Sequence, residues 1–250
     1  MCLNMKYGAE VQQRKSVKDS KVSIGYIVLA RYNSSRLPGK FLKKIHDKPI
    51  IDHIFEKLLS VADKENIVIA TSSEITDDPI FEYCKKKSYQ YYRGSLNNVA
   101  ERFLFCAEEY GFDYATRING DNLFLDIETL IEMQKIALSN EFDFISNVKN
   151  RTFPKGMSIE IVKTKYYRNC FNQFETESHF EHVTPYLYEH DSDKRHYYFY
   201  NTLCPEAAGI QLAIDTQEDF VNAQNILNKL SLRSKFGLKE IFKIISENNE

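Results

Sequence analysis

The sequence predicts an α/β fold: a Rossmann-like, three-layer α/β/α arrangement around a mostly parallel sheet, with a smaller inserted region. Three observations carry that expectation. Short apolar, β-branched runs recur along the chain, the pattern of strands buried on both faces. Each is followed by a stretch with apolar residues at helical spacing, and regular strand–helix alternation implies parallel strands joined by crossover helices. Polar, charge-bearing loops sit directly after several of these runs, where open α/β sheets bind ligands.

Val22 to Ala30 (VSIGYIVLA) reads as the first strand and ends in the polar loop Arg31–Lys40. Pro49 opens a helix with Ile50, Ile51, Ile54, Phe55, Leu58 and Leu59 on its apolar stripe, proline being suited to a first helical turn. A strand over Asn66–Thr71, a helix over Asp78–Lys87 and a strand near Tyr89–Tyr92 follow. The next helix, Asn97–Gly111, places Ala100, Phe103, Leu104, Ala107 and Tyr110 on one face. Asp113–Ile118 is a strand running into Asn119-Gly120-Asp121-Asn122, and helix Ile127–Ser139 and strand Phe142–Val148 come next. Residues 151–204 are less regular and read as an insertion shaping a substrate pocket or a dimer contact, with a helix over His179–His190 and an aromatic strand over His196–Asn201. The chain then returns with strand Gln211–Ile214 and helix Thr216–Leu230, whose inner face is Phe220, Ala223, Leu227 and Leu230. The expected organisation is a flexible tail over residues 1–20 and a single domain over 21–250.

Composition narrows the function. A formal net charge of −2 argues against a nucleic-acid partner, which calls for a basic balance. No apolar run reaches the roughly 18 residues of a membrane span, and the polar first 20 residues lack the apolar core of a secretory signal. The five cysteines (Cys2, Cys84, Cys106, Cys170, Cys204) form no CxxC pair, and an odd number does not complete a disulfide framework. A reducing cytoplasmic setting is expected.

The loop after the first strand carries the chemistry. Ser34 and Ser35 offer hydroxyl and backbone N–H groups to phosphate oxygens. Arg36 supplies a planar fork for bidentate contact, Lys40 a mobile point charge, and Gly39 lets the backbone turn closely behind Pro38. The GxxxxGK[ST] pattern of a Walker loop is absent. Taken alone this is equally a solvated basic surface loop; its place after the first buried strand favours a ligand site. Asp121 and Asp215 also lie just after apolar runs, and two carboxylates with substrate phosphates and waters suit Mg²⁺. Gly120-Asp121-Asn122 is equally a turn, and Asp215-Thr216-x-Glu218 equally a helix cap.

Ala30-Arg31-x-x-Ser34-Ser35-Arg36-Leu37-Pro38-Gly39-Lys40, followed by Lys48-Pro49-Ile50-Ile51, resembles the opening of the sugar-acid cytidylyltransferases, the superfamily of the CMP-sialic acid and CMP-Kdo synthetases. The likeness is greatest to the spore-coat polysaccharide SpsF-type branch. Matching blocks follow in order at Ile69–Ser73, Arg93-Gly94-Ser95 with Val99 and Glu101-Arg102-Phe103, Arg117–Asn122, Glu181–Tyr186 and Leu212–Asp219, so the resemblance runs from Ile24 to Leu230.

The resemblance implies a nucleotide-diphospho-sugar-transferase-like sheet and transfer of CMP from CTP to a small acceptor: a sugar acid, polyol phosphate or phosphonate. An acceptor oxygen attacks the α-phosphorus and pyrophosphate leaves. It further implies that Arg36 and Lys40 bind the β- and γ-phosphates and that Asp121 and Asp215 hold Mg²⁺, with Mn²⁺ as substitute. Leu29, Ala30, Arg31, Ser34, Ser35, Ser72, Ser73, Arg93 and Asn119 complete the nucleotide site, and Arg117, Glu160 and His182 fall on the acceptor side. A homodimer without nucleic-acid or membrane partners, serving surface polysaccharide synthesis, is the implied setting. One departure stands out: where such sequences often carry proline and a further acidic residue or cysteine after the first metal aspartate, this chain has Asn122-Leu123-Phe124.

Other polar residues have plainer readings. Arg93 and Arg117 are equally sheet-end arginines. His179 and His182 sit three apart beside Glu181, but no further zinc ligand lies at suitable spacing. Tyr197–Tyr200 reads as a half-buried strand or dimer edge, and Lys85–Lys87 as cations at a helix end. Two rival functions remain, a GT-A glycosyltransferase with Asp121 in a metal-binding acidic motif, and a catalytically silent nucleotide-binding protein. The basic loop favours nucleotidyl transfer, since a diphosphate-sugar needs no cradle for departing pyrophosphate.

Overall fold

The computed structural model describes residues 22–191, 195–230 and 236–247; the expected 1–20 tail lies outside them. In chain order the elements are β1 (Ile24–Leu29), a hairpin of β2 (Lys44–Ile45) and β3 (Lys48–Pro49), α1 (Ile50–Leu59), β4 (Ile67–Ser72), α2 (Asp78–Lys87), β5 (Gln90–Gly94), α3 (Val99–Glu109), β6 (Tyr114–Asn119), α4 (Ile127–Leu138), β7 (Phe144–Ser146), β8 (Glu160–Lys163), α5 (Thr164–Phe171), α6 (Glu177–His182), α7 (Pro185–Glu189), β9 (His196–Tyr198), α8 (Gln217–Leu230) and α9 (Leu238–Ser246). Seven strands form one sheet in the order β5-β4-β1-β6-β8-β7-β9. Only β8 runs against the rest, antiparallel to both β6 and β7.

β1 and β4 are buried along their whole length because both faces of the sheet are covered there. Along β1, Ile24, Tyr26 and Val28 enter one core and Ile27 and Leu29 the other, and in β4 Ile67 and Ile69 alternate with Val68 and Ala70. The first core takes α1, α4, α8 and α9, through residues such as Phe55, Met133, Phe220 and Ile241. The second takes α3, α5 and α7, through Phe103, Tyr167 and Leu187. Asn98 and Asp126 cap α3 and α4 by accepting from the N–H groups of Glu101 and Thr129, which fixes where each helix begins. Leu29 of β1 is opposite Asn119 of β6, so the Arg31–Lys40 loop and Asp121 leave the sheet side by side. No helix among the described residues is long and apolar enough to cross a membrane.

The structure departs from the sequence expectation in four places. The helix expected over His179–His190 is two helices, α6 and α7. Val183 between them adopts φ 73°, and Pro185, which has no N–H to donate within a helix, begins the second. Tyr167 Oη stabilises the break by donating to the Val183 carbonyl at 2.7 Å. The strand expected over Gln211–Ile214 is a single bridge between Gln211 and Lys155. Its remaining backbone groups bind other loops, the Leu212 N–H donating to the Lys155 carbonyl at 2.9 Å. Residues 151–204, expected as an insertion, contribute β8 and β9 to the main sheet. Finally α9, which packs Leu238, Ile241 and Ile244 inward, had no sequence expectation.

Gly156 is where the 155 loop and the 212–214 segment meet. Its φ is 91°, and a Cβ there would lie 2.4 Å from the Ala213 nitrogen and 2.6 Å from the Leu212 carbonyl carbon. Gly156→Ala is therefore expected to cost about 2–3 kcal/mol, read from the urea midpoint at constant m.

Candidate active site

The loop after β1 is shaped around the Tyr32 peptide. The Tyr32 carbonyl accepts from the N–H groups of Ser34 at 3.0 Å and Gly39 at 2.8 Å, closing a compact turn. Gly39 sits at φ 68°, a left-handed conformation that costs glycine little, and a Cβ would lie 3.2 Å from the Tyr32 ring. The chain then enters a short 3-10 turn, Lys40–Leu42, which turns Lys40 inward; only 6% of it is exposed.

The buried ammonium joins three segments distant in sequence. Lys40 Nζ donates to Asp121 Oδ2 at 3.0 Å and to the Ile214 carbonyl at 2.8 Å, and lies 3.4 Å from Asp215 Oδ1. Arg36 Nη2 is 3.1 Å from the same Asp215 oxygen. Two cations and two carboxylates thus converge beyond the carboxyl ends of β1 and β6. The exposed Arg36 contact is screened and contributes at most about 1 kcal/mol. The Lys40 contacts are shielded and fix the geometry.

Asp215 is free for this role because another residue caps the helix. Asp219 Oδ2 accepts from the N–H groups of Asp215 at 3.1 Å and Thr216 at 2.8 Å, and Thr216 Oγ1 accepts from the Asp219 N–H at 3.2 Å. The capping expected of Asp215 is therefore supplied by Thr216 and Asp219. The Asp121 and Asp215 side chains are 21% and 28% exposed, so both oxygen donors can be reached from outside. Two hard carboxylates facing a basic loop fit Mg²⁺, which typically takes one or two carboxylates and completes its shell with phosphate and water oxygens. Among the described residues no group of three or more His, Cys, Asp or Glu is placed to hold a metal ion.

On the β4 side, Leu29, Ala30 and Ser72 are buried at the strand ends, and the Ser73 N–H donates to the Gly94 carbonyl at 2.8 Å. Arg93 is occupied within the protein. Its Nε donates to the Ser72 carbonyl at 2.9 Å, its Nη2 to the Glu74 carbonyl at 3.0 Å and to Asp78 at 2.7 Å, and the guanidinium lies over Phe81. Ser35 and Arg31 are exposed, Ser34 half-buried, and Arg31 lines a cleft of about 510 Å³ with Asn97, Asn98, Glu177, Phe180 and Glu181. Asn119 is half-buried at the end of β6.

On the β8 side, Arg117, Glu160 and Ser146 lie in register on neighbouring strands. Arg117 Nη1 pairs with Glu160 Oε2, while Glu160 Oε1 accepts from Tyr188 Oη at 2.6 Å, and Tyr188 Oη is 2.5 Å from Ser146 Oγ. Burial, then the adjacent Glu160 charge, holds the Tyr188 phenol well above its usual pKa, so it stays a proton donor. Arg117 Nε is buried without a partner among the protein groups. His182 is exposed at the end of α6, whereas His179 is buried, with Nε2 2.7 Å from Glu189 and Nδ1 accepting from the N–H groups of Glu175 and Thr176. That arrangement spends His179 on the start of α6.

The sequence reading singled out neither Tyr188 nor Asp77, and named Arg102 only within the Glu101-Arg102-Phe103 block. Tyr188 follows the expected Glu181–Tyr186 block by two positions, but only the break before α7 aims it at Glu160. Arg102 is 1% exposed and donates to the Ser95 carbonyl at 2.7 Å. Burial, reinforced by nearby Arg31, lowers its pKa to about 10.

Residues 26–248 match the cytidylyltransferase family model. The spore coat polysaccharide biosynthesis protein SpsF of Bacillus subtilis is 28% identical over 230 residues, covering 89% of this chain and 94% of that protein. The structure of a cytidylyltransferase from Leptospira borgpetersenii superposes with a TM-score of 0.83 at 28% identity, over 91% of this chain and 95% of the other. A CMP:2-keto-3-deoxy-manno-octonic acid synthetase complexed with CTP shares the fold, with a TM-score of 0.63 at 17% identity, covering 83% and 99% of the two chains.

Proposed function

The chain belongs to the cytidylyltransferase family and is a nucleotidyltransferase; from that premise we propose that it transfers CMP from CTP to an acidic sugar or related polyol phosphate or phosphonate. The pyrophosphate leaves, and the product serves surface polysaccharide synthesis. The observation that carries this reading is the convergence of Arg36, Lys40, Asp121 and Asp215. The naming of the Bacillus subtilis relative for spore coat polysaccharide biosynthesis supports the pathway class.

Arg36 and Lys40 exchange carboxylate partners for the β- and γ-phosphates and stabilise the charge that accumulates on the leaving pyrophosphate. Asp121 and Asp215 would hold Mg²⁺, or Mn²⁺ in its place, which would supply charge neutralisation and Lewis acidity for the transfer. The backbone around Leu29–Arg31, with Ser72 or Ser73, is where the base would bind, and hydrogen bonds there would separate cytosine from uracil. The Arg117–Glu160–Tyr188 network presents a fixed acceptor and a guanidinium to a hydroxylated, anionic acceptor. The setting is a cytoplasmic homodimer.

A pyrophosphate-release assay tests this reading with each of the four NTPs, Mg²⁺, and a panel of sugar acids, polyol phosphates and phosphonates. CTP alone is expected to support turnover, and EDTA to abolish it. Absence of turnover with every NTP, together with no rise in Tm on adding CTP, contradicts it.

A further inference from the structure

Asp77 occupies the N-cap position of α2, yet its side chain makes no capping hydrogen bond. An aspartate there ordinarily accepts from the first-turn N–H groups of its own helix. Here the carboxylate, in a fully buried residue, turns to two other segments. Oδ1 accepts from the Tyr32 N–H at 2.7 Å, and Oδ2 from the Ser72 N–H at 3.1 Å. One carboxylate therefore joins the entry to the Arg31–Lys40 loop to the end of β4.

Both residues it holds are themselves anchors through their carbonyls. The Tyr32 carbonyl closes the loop on Ser34 and Gly39, and Gly39 leads directly into Lys40. The Ser72 carbonyl accepts from Arg93 Nε. Displacing the carboxylate shifts the Tyr32 backbone, and with it the turn that sets where Lys40 meets Asp121 and Asp215. Charge-assisted hydrogen bonds from backbone N–H groups are among the stronger ones, and burial protects them from water. Hydrogen bonds to the ionised form hold the Asp77 carboxyl below its usual pKa against the opposing effect of burial.

We propose that Asp77 is a positioning residue for nucleotide binding, clasping the phosphate loop to the β4 wall so that the triphosphate and base subsites keep a fixed spacing. The inference rests on the proposed CTP site.

The test measures CTP affinity calorimetrically in Mg²⁺, using the full chain without acceptor. Asp77→Asn keeps the side-chain size but replaces one accepting oxygen with a donor facing an N–H group. It is expected to weaken CTP about tenfold or more, the scale on which small displacements act in a preorganised site. Asp52→Asn is the control. Asp52 is likewise buried, 3% exposed, and accepts from Tyr83 Oη at 2.8 Å and Tyr89 Oη at 3.0 Å within the α1–α2 packing. It should lower Tm comparably and leave CTP affinity within about twofold. If Asp77→Asn is recovered unfolded, Asp77→Glu takes its place, moving the carboxylate by one methylene, with an expected loss of about threefold or more. Wild-type affinity in a folded Asp77 variant, or an equal loss in Asp52→Asn, overturns the assignment. Failure of the wild-type protein to bind CTP instead overturns the underlying function.

Discussion

Asp121→Ala is expected to lower CMP transfer about a thousandfold or more while the protein remains folded. The carboxylate lies just past the end of β6, 21% exposed, with Lys40 as its charged partner. Its loss removes one of two carboxylates facing the basic Arg31–Lys40 loop. In phosphoryl transfer, positioning and charge neutralisation supply nearly all of the catalysis, and one such group is worth about two to three orders of magnitude. Stability changes little because Lys40 keeps the Ile214 carbonyl at 2.8 Å and the Asp215 carboxylate at 3.4 Å. A fall of a few degrees in Tm is expected. Steady-state turnover beside a thermal melt checks both, and an Asp121→Ala protein with full activity removes Asp121 from the chemistry.

Lys40→Met cuts the same cluster from the other side, with a different signature. The linear methionine roughly fills the lysine stem's volume, but the Ile214 carbonyl loses its donor, and two carboxylates are left near one another with Arg36 alone beside them among the described residues. The unsatisfied carbonyl costs about 1–3 kcal/mol, and solvent access to both aspartates limits the repulsion. Lys40→Met should therefore lose more stability than Asp121→Ala. Because Lys40 is assigned to the leaving phosphates, it should also weaken CTP about a hundredfold and slow transfer about a thousandfold. The Asp121→Ala/Lys40→Met double variant should be little worse than either alone, since groups acting as a unit are not additive. Additive losses would show that the two side chains act separately.

How much of this was legible before the structure follows from where each residue sits. Arg36, Lys40, Asp121 and Asp215 could be named because each follows an apolar run, and parallel sheets gather such positions at one end. The β1 and β4 strands were equally plain, since burial on both faces leaves short apolar runs. The availability of Asp215 was not plain, because it depends on Asp219 taking over the helix cap. Asp77 drew no reading, since it lies just before the helix expected from Asp78 and its partner Tyr32 lies 45 residues away. Arg93 was expected at the nucleotide, yet three groups of the β4–α2 connection hold its guanidinium. β8 escaped notice because it is four residues long and gains its place only by pairing with β6 and β7 on either side.

Calorimetric titration of each NTP into the wild-type protein, with Mg²⁺ and again with EDTA, tests the proposed metal–triphosphate clamp most directly. CTP should bind in Mg²⁺, weaken about tenfold or more in EDTA, and outcompete UTP, ATP and GTP. Equal affinity for CTP with and without the metal, or no binding of any NTP, would contradict the clamp formed by Arg36, Lys40, Asp121 and Asp215.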